Sequence, residues 1–305
     1  MHQAPPLDAE PIAPSHGKYL QQMFSLGVNR SWCHFPPFLC AFSLSPGREV
    51  FVKDVDGSAV VLLRRWNRRG AQVDLVTSPS PLKEGILPQV LEQIRILNDG
   101  GPTRILWVDE SDHCSLSGQG FQVTLKEEEY IFNPSTVINA EGSGYRDLRK
   151  RLRRFRREYC VQFREMHEAD ISGGQELLRL WRSKQGRRHP FLLDWGYTKK
   201  ALEEFHKWPE EYLKAWCVTL KGRMVAFAMA GPIHKDLANF FVAKSDPEIP
   251  GLSEFLRHEV FQRLGKYPLV NDAGDLGLPG LRQYKMKFRP VSKRPVYQAS
   301  SQELP

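Results

Sequence analysis

The sequence predicts an α/β protein, α+β in character with mixed sheets, arranged as two domains. Three observations lead there. The chain has 305 residues, 41% of them apolar, which is too long for one ordinary core. Two dipeptides, Asp56-Gly57 and Lys221-Gly222, each separate two runs of strand-forming residues, as hairpin turns do. Other segments repeat their apolar residues at helical spacing.

Residues 1–17 hold four prolines and little that could pack, and are expected to form a loose tail. From Lys18 to Leu125 the first domain is expected. Glu49–Val55 and Ala59–Arg65 are the arms of the first hairpin, and Ala71–Val76 is a third strand. Gly85–Asn98 places Ile86, Leu87, Val90, Leu91, Ile94 and Leu97 on one helical face, and Gly100-Gly101 stops it. Arg104–Val108 has the continuous apolar character of a buried strand.

The second domain is expected over residues 126–298, followed by a tail at 299–305. Tyr145–Tyr159 puts Leu148, Leu152, Phe155 and Tyr159 on one helical face. Ser172 and Gln175 have the spacing of a capping box for a helix running to about Lys184. Residues 186–200 are expected to be a loop, and Leu202–Phe205 opens a short helix. The second hairpin joins Ala215–Leu220 to Met224–Ala230, with Ala226, Ala228 and Ala230 on one face. Leu237–Ala243 is a strand, Leu252–Leu264 a helix ended by Gly265, Pro268–Asn271 a short strand and Gly280–Met286 a final helix. No internal repeat is visible.

Composition excludes several classes. No apolar run is long enough to cross a bilayer, and the N-terminus lacks the basic-then-apolar pattern of a secretory signal, so a cytoplasmic protein is expected. The five cysteines are scattered singly, which suits reduced core thiols better than disulfides. Cys33-His34 and His113-Cys114 do not have zinc-ligand spacing, so no metal is expected, and no cofactor.

Charge is distributed unevenly. Residues 1–125 hold 11 basic and 12 acidic side chains, whereas residues 126–305 hold 32 and 23. The whole surplus lies in the second half, and that favours a polyanion or an anionic membrane surface as partner. Much of it sits between Arg146 and Glu158, where eight Arg and Lys face only Asp147 and Glu158. Solvated helices usually mix signs. Like charges stacked this way repel, which points to a phosphate partner.

Two further segments could carry chemistry. Lys244-Ser-Asp-Pro-Glu-Ile-Pro-Gly251 joins a strand to a helix, where acetyl-CoA-dependent N-acetyltransferases grip pyrophosphate with backbone N–H groups. Pro247 and Pro250 remove two donors, and Asp246 and Glu248 add the wrong charge. In Asn271–Pro290, Arg282 and Lys285 are three apart on a helix and Asp275 precedes the turn into it. A carboxylate with two cations is either a structural ion network or a base beside an oxyanion clamp.

From Tyr130 to Tyr297 the chain resembles the catalytic C-terminal domain of phosphatidylglycerol lysyltransferases and their soluble relatives. The matching elements are Leu148-Arg149-x-x-Leu152-x-Arg154-Phe155, Gly222-Arg-Met-Val-Ala-Phe, Ala243-Lys-Ser-Asp-Pro-Glu-Ile-Pro-Gly251, Asp275-Leu-Gly-x-x-Gly280-Leu-Arg282-x-x-Lys285 and Lys287-Phe-x-Pro290. The chain departs at Ala273, where many soluble relatives carry an acidic residue, and at Lys150, where they carry Asn. The resemblance implies two tandem domains of the N-acetyltransferase (GNAT) fold. It also implies transfer of an aminoacyl group from aminoacyl-tRNA to an amine or hydroxyl acceptor, a lipid headgroup in the membrane members. On that reading Asp275 is base or orienter, and Arg282 with Lys285 stabilises the oxyanion. Arg149 and Arg153 hold tRNA, with Asn271, Lys244 and Lys287 as further substrate-binding candidates. An acyl-CoA N-acyltransferase with an unusual loop and a non-catalytic polyanion-binding protein are the alternatives.

Overall fold

The computed structural model describes residues 7–67, 70–186 and 194–301. The chain divides into two compact units, one of residues 1–128 and 294–305 and the other of residues 129–293. Their elements, in chain order, are β1 (Glu10–Pro11), α1 (Gly17–Leu26), α2 (Pro36–Phe42), β2 (Arg48–Val55), β3 (Ser58–Asn67), β4 (Gly70–Thr77), α3 (Ile86–Leu97), β5 (Arg104–Val108), α4 (His113–Gly118), β6 (Phe121–Phe132), α5 (Pro134–Asn139) and α6 (Arg146–Glu158). There follow β7 (Val161–Glu165), α7 (Ile171–Trp181), α8 (Asp194–Glu204), β8 (Lys214–Leu220), β9 (Arg223–His234), β10 (Leu237–Ser245), α9 (Leu252–Arg263), β11 (Leu269–Asn271), α10 (Pro279–Met286) and β12 (Ser292–Ser301).

In the first unit β1 to β5 lie side by side in chain order, with β12 against β5. Asp56 and Gly57 both have positive φ, 50° and 71°, so the β2–β3 turn carries the twist a two-residue hairpin needs. The apolar face of α3, Ile86, Leu87, Val90 and Ile94, closes over Val73, Leu75 and Ile105. β4 and β5 are parallel. Beyond the end of β5 a buried polar knot forms. The Asp109 carboxylate accepts from the backbone N–H groups of Arg30 and Ser31 at 2.7 Å each and of Ser111 at 3.0 Å. Asp112 is buried next to it, within 3.4 Å of the Asn29 amide.

In the second unit the strand order is β6-β11-β10-β9-β8-β7. Lys221 and Gly222, with φ of 51° and 79°, make the β8–β9 turn. The three alanines of β9 belong to the core that α6 and α9 close, with Leu148, Leu152, Phe155, Leu252, Phe255 and Leu256. Their small size therefore serves helix packing. α7 contacts β9 as well, and Phe227 and Met229 are fully buried.

Several expectations are corrected. Residues 1–17 are not wholly a tail: Glu10 and Pro11 pair with Val52 and Phe51, and Ile12 is buried. The helix expected at Ser172 begins at Ile171, and the capping pattern lies upstream, between His167 and Asp170. Within the expected 186–200 loop, residues 187–193 lie outside the described residues and α8 already starts at Asp194. The second unit ends at Lys293 rather than 298, and Ala299–Ser301 are strand, because Tyr297, Ala299 and Ser300 pair with Val108, Ile105 and Arg104.

Candidate functional site

The parallel ladder between β10 and β11 ends at Asn239↔Asn271. β10 runs on to Ser245, while the chain leaves β11 through Asp272, Ala273 and Gly274 into α10. That exit is held from several sides. Asn271 is fully buried; it donates to Glu129, and its oxygen accepts from the Ala273 N–H at 2.8 Å. Ala273 has φ of 53°, a left-handed conformation that costs a residue with a Cβ free energy. Two bonds to Tyr130 fix it: the Ala273 carbonyl accepts from the Tyr130 N–H at 3.1 Å, and the Tyr130 carbonyl accepts from the Asp272 N–H at 3.0 Å.

Beneath this exit is a buried ionic core. Arg257 of α9 pairs with Asp272, and Lys285 of α10 donates to the Asp272 and Ala273 carbonyls and lies 3.5 Å from the Asp272 carboxylate. The Arg257 guanidinium is 4.5 Å from the Phe240 ring centroid and 5.2 Å from those of Tyr284 and Phe288. Burial alone would lower its pKa, yet the Asp272 carboxylate outweighs that and raises it, so Arg257 stays charged. Lys285 thus faces Asp272 rather than Asp275. The expected clamp of Arg282 with Lys285 is not formed, since Lys285 is buried and turned onto the backbone.

Asp275 gathers the exposed part of the site. Its carboxylate accepts from the Tyr130 hydroxyl at 2.6 Å, Arg282 Nε at 2.8 Å and the Gly277 N–H at 2.9 Å. Burial pushes the carboxyl up, but the bonds from Arg282, Tyr130 and Gly277 outweigh it and hold the group below the usual carboxylate range. Burial and the nearby carboxylate push the Tyr130 hydroxyl up to about 12. Asp275 is therefore a fixed anion and a weak base, better suited to orienting than to taking a proton. The Arg282 side chain is 61% exposed, and its guanidinium has donors beyond the Nε bond to Asp275.

The other candidates divide. Arg149 donates one nitrogen to the Ala140 carbonyl and, at 2.7 Å, to the Gly142 carbonyl, so it caps the end of α5. Arg153 is exposed and has no hydrogen bond or ion pair among the described residues. Lys287 lies 3.2 Å from Glu254, and the Lys244 ammonium sits 4.0 Å from the Trp181 ring centroid. In the loop after β10, Asp246 accepts from the Glu248 N–H at 3.1 Å and pairs with Arg223, also at 3.1 Å. A backbone donor that a pyrophosphate would need is thus taken by the loop's own carboxylate.

Sequence reasoning missed Tyr130 and Arg257. For Arg257 the local signal pointed the other way: Glu254, Arg257 and His258, at i, i+3 and i+4, share one face of α9 and read as its solvated side, yet all three are buried. Nothing local marked Tyr130. Among the described residues no group of His, Cys, Asp and Glu could hold a metal ion, and no helix is long and apolar enough to cross a membrane.

Solved structures of other proteins share this fold. A protein of unknown function from Bacteroides thetaiotaomicron is 20% identical, with 97% of this chain and 100% of that one aligned and a TM-score of 0.78. L-PGS from Bacillus licheniformis is 17% identical over 97% and 94%, with a TM-score of 0.66. A tandem GNAT protein from the clavulanic acid biosynthesis pathway is 11% identical over 98% and 99%, with a TM-score of 0.55. At such identities the likeness is one of fold, and it is GNAT-like. No curated protein matches the sequence. The family model described as phosphatidylglycerol lysyltransferase, C-terminal, matches residues 42–300, and the chain belongs to that family.

Proposed function

We propose that the second unit is an aminoacyltransferase, taking an aminoacyl ester from tRNA to an amine or hydroxyl acceptor. The observation that carries this reading is the Tyr130–Asp275–Arg282 cluster at the exit of β11, in a chain of the lysyltransferase family. The acceptor nitrogen or oxygen attacks the ester carbonyl carbon, and the carbonyl oxygen becomes negative. Arg282 is the exposed cation that meets this charge. Asp275 keeps the guanidinium aimed through one bond and holds Tyr130 through another. The bond to the ribose oxygen then breaks, and that oxygen takes up the proton the acceptor gives up. Asp275 acts as orienter throughout, because its carboxylate is already engaged by the Tyr130 hydroxyl, Arg282 Nε and the Gly277 N–H.

The acyl-CoA alternative is the weaker one, because Asp246 occupies a backbone donor of the loop before α9. The test is to incubate the protein with a pool of tRNA carrying radiolabelled amino acids and a cell extract freed of nucleic acid. Protein-dependent passage of label from tRNA into an alkali-labile or amide-linked acceptor is expected, reduced about a hundredfold in Arg282→Ala, the size of an oxyanion donor's contribution. Equal turnover in the variant would remove Arg282 from the mechanism, and no transfer at all would remove the reading.

A further inference from the structure

The basic helix α6 is built from two kinds of cation. Those on its flanks are engaged. Arg149 caps α5, Arg151 lies 3.6 Å from Glu254, Arg156 lies 2.9 Å from Glu259 of α9, and Arg154 lies 2.8 Å from Glu158. Arg146, Lys150, Arg153 and Arg157 fall elsewhere. At 3.6 residues per turn they lie within about 60° of one another, along about 16 Å of helix. Leu148, Leu152 and Phe155 are on the opposite side, in the core. All four are exposed. Among the described residues Arg146, Lys150 and Arg153 have no ion pair, and Arg157 has only Glu158 at 3.7 Å.

We infer that this crest, and not the helix as a whole, is a docking surface for an RNA backbone. Like charges at i,i+3 and i,i+4 repel, and among the described residues only Glu158, beside Arg157, offsets the repulsion along this line. A polyanion would. Three of the four are arginines, whose planar fork pairs with phosphate through two parallel bonds. A nucleic acid duplex places several phosphates within the length of the crest. An anionic membrane is the lesser fit, because a membrane-surface helix presents apolar residues beside its cations, and the apolar residues of α6 are all buried. The inference rests on the transfer reading only for the kind of RNA, a tRNA. It moves Arg149 out of the contact set and brings Arg146, Lys150 and Arg157 in.

The test uses the full chain, unacylated tRNA and phosphatidylglycerol vesicles, with binding followed across a salt series. Lys150→Glu with Arg153→Glu is compared with Lys235→Glu and Lys266→Glu, an off-crest pair with the same change in net charge. The crest pair is expected to weaken tRNA binding at least about tenfold and to flatten its salt slope by about two counterions, while the off-crest pair stays within about twofold. Equal losses in both pairs would reduce the effect to net charge and overturn the inference. So would unchanged tRNA binding in the crest pair, absent binding by the unaltered protein, or a loss confined to vesicles. Transfer is measured separately: a crest that binds tRNA as expected in a protein that transfers nothing would leave the surface standing and sink the aminoacyltransferase reading.

Discussion

The hydroxyl of Tyr130 donates to the Asp275 carboxylate at 2.6 Å, across 145 residues of sequence. One residue comes from the end of β6 and the other from the entry to α10, so the bond joins the two sides of the β11 exit. It also sets the charge state of the site. A carboxylate that accepts from a tyrosine, an arginine and a backbone N–H is held ionised.

Asp275→Asn tests that role directly. The amide still accepts from Tyr130 but no longer pairs with Arg282 as an ion. Loss of this charge-assisted bond should cost little stability, because Arg282 is largely exposed and solvent screens the pair. The thermal midpoint should fall by a few degrees and transfer should fall with it, while tRNA affinity stays level. A variant with full activity would show that Arg282 needs no orientation.

The same bond has a pH signature. The folded Asp275 carboxyl titrates below its unfolded value, which is about 3.9. The stability it contributes is present above that unfolded value and is lost as pH falls through the folded one. Acid unfolding below about pH 4 should therefore be less steep in Asp275→Asn than in the unaltered chain, as measured by circular dichroism across a pH series.

Asp112 carries the opposite sign. Burial, then the neighbouring Asp109 carboxylate, push its carboxyl up to about 6. The folded state then binds a proton that the unfolded chain releases near pH 4, so this group's contribution is lost as pH rises through about 6. Asp112→Asn should narrow the difference in thermal midpoint between pH 5 and pH 7.5. An unchanged difference would mean that the carboxyl is not titrating there.

Arg149 and the crest should separate in stability measurements. Arg149→Ala exposes two carbonyls at the end of α5 and should cost about 1–2 kcal/mol in denaturant unfolding, with tRNA affinity little altered. Lys150→Gln with Arg153→Gln removes repulsion worth about 0.2–0.5 kcal/mol per pair, so that variant should be slightly more stable than the parent. Destabilisation by the crest pair would show that those side chains have structural partners.

Much of this was legible in sequence, for identifiable reasons. Asp56-Gly57 and Lys221-Gly222 fixed two hairpins because few dipeptides accept two positive φ angles in succession. The apolar face of α6 survived in a helix otherwise made of charged residues because Leu148, Leu152 and Phe155 keep strict helical spacing. Asp275 and Arg282 were brought together by a short turn, which local spacing can report. Lys285 was misjudged because sharing a helical face with Arg282 does not decide whether a side chain ends in solvent or in the core. Only the position of Asp272 against Arg257 decides that, and it depends on contacts between α9, α10 and β11. The bonds of Arg149 to the carbonyls after α5 were not legible for a similar reason. A guanidinium on a basic helix looks like its neighbours until the carbonyls of α5 are placed beside it.

The return of β12 has a consequence for how the protein is made. Tyr297, Ala299 and Ser300 complete the edge of β5, whose residues are made almost two hundred positions earlier. The second unit is thus an insertion within the first, and its whole length must be synthesised before the strand that finishes the first unit exists. During synthesis β5 waits with one open edge, and the inserted unit is free to fold ahead of its host. A chain shortened after Lys293 would keep every residue of the candidate site and still lose the last strand of the unit that precedes it.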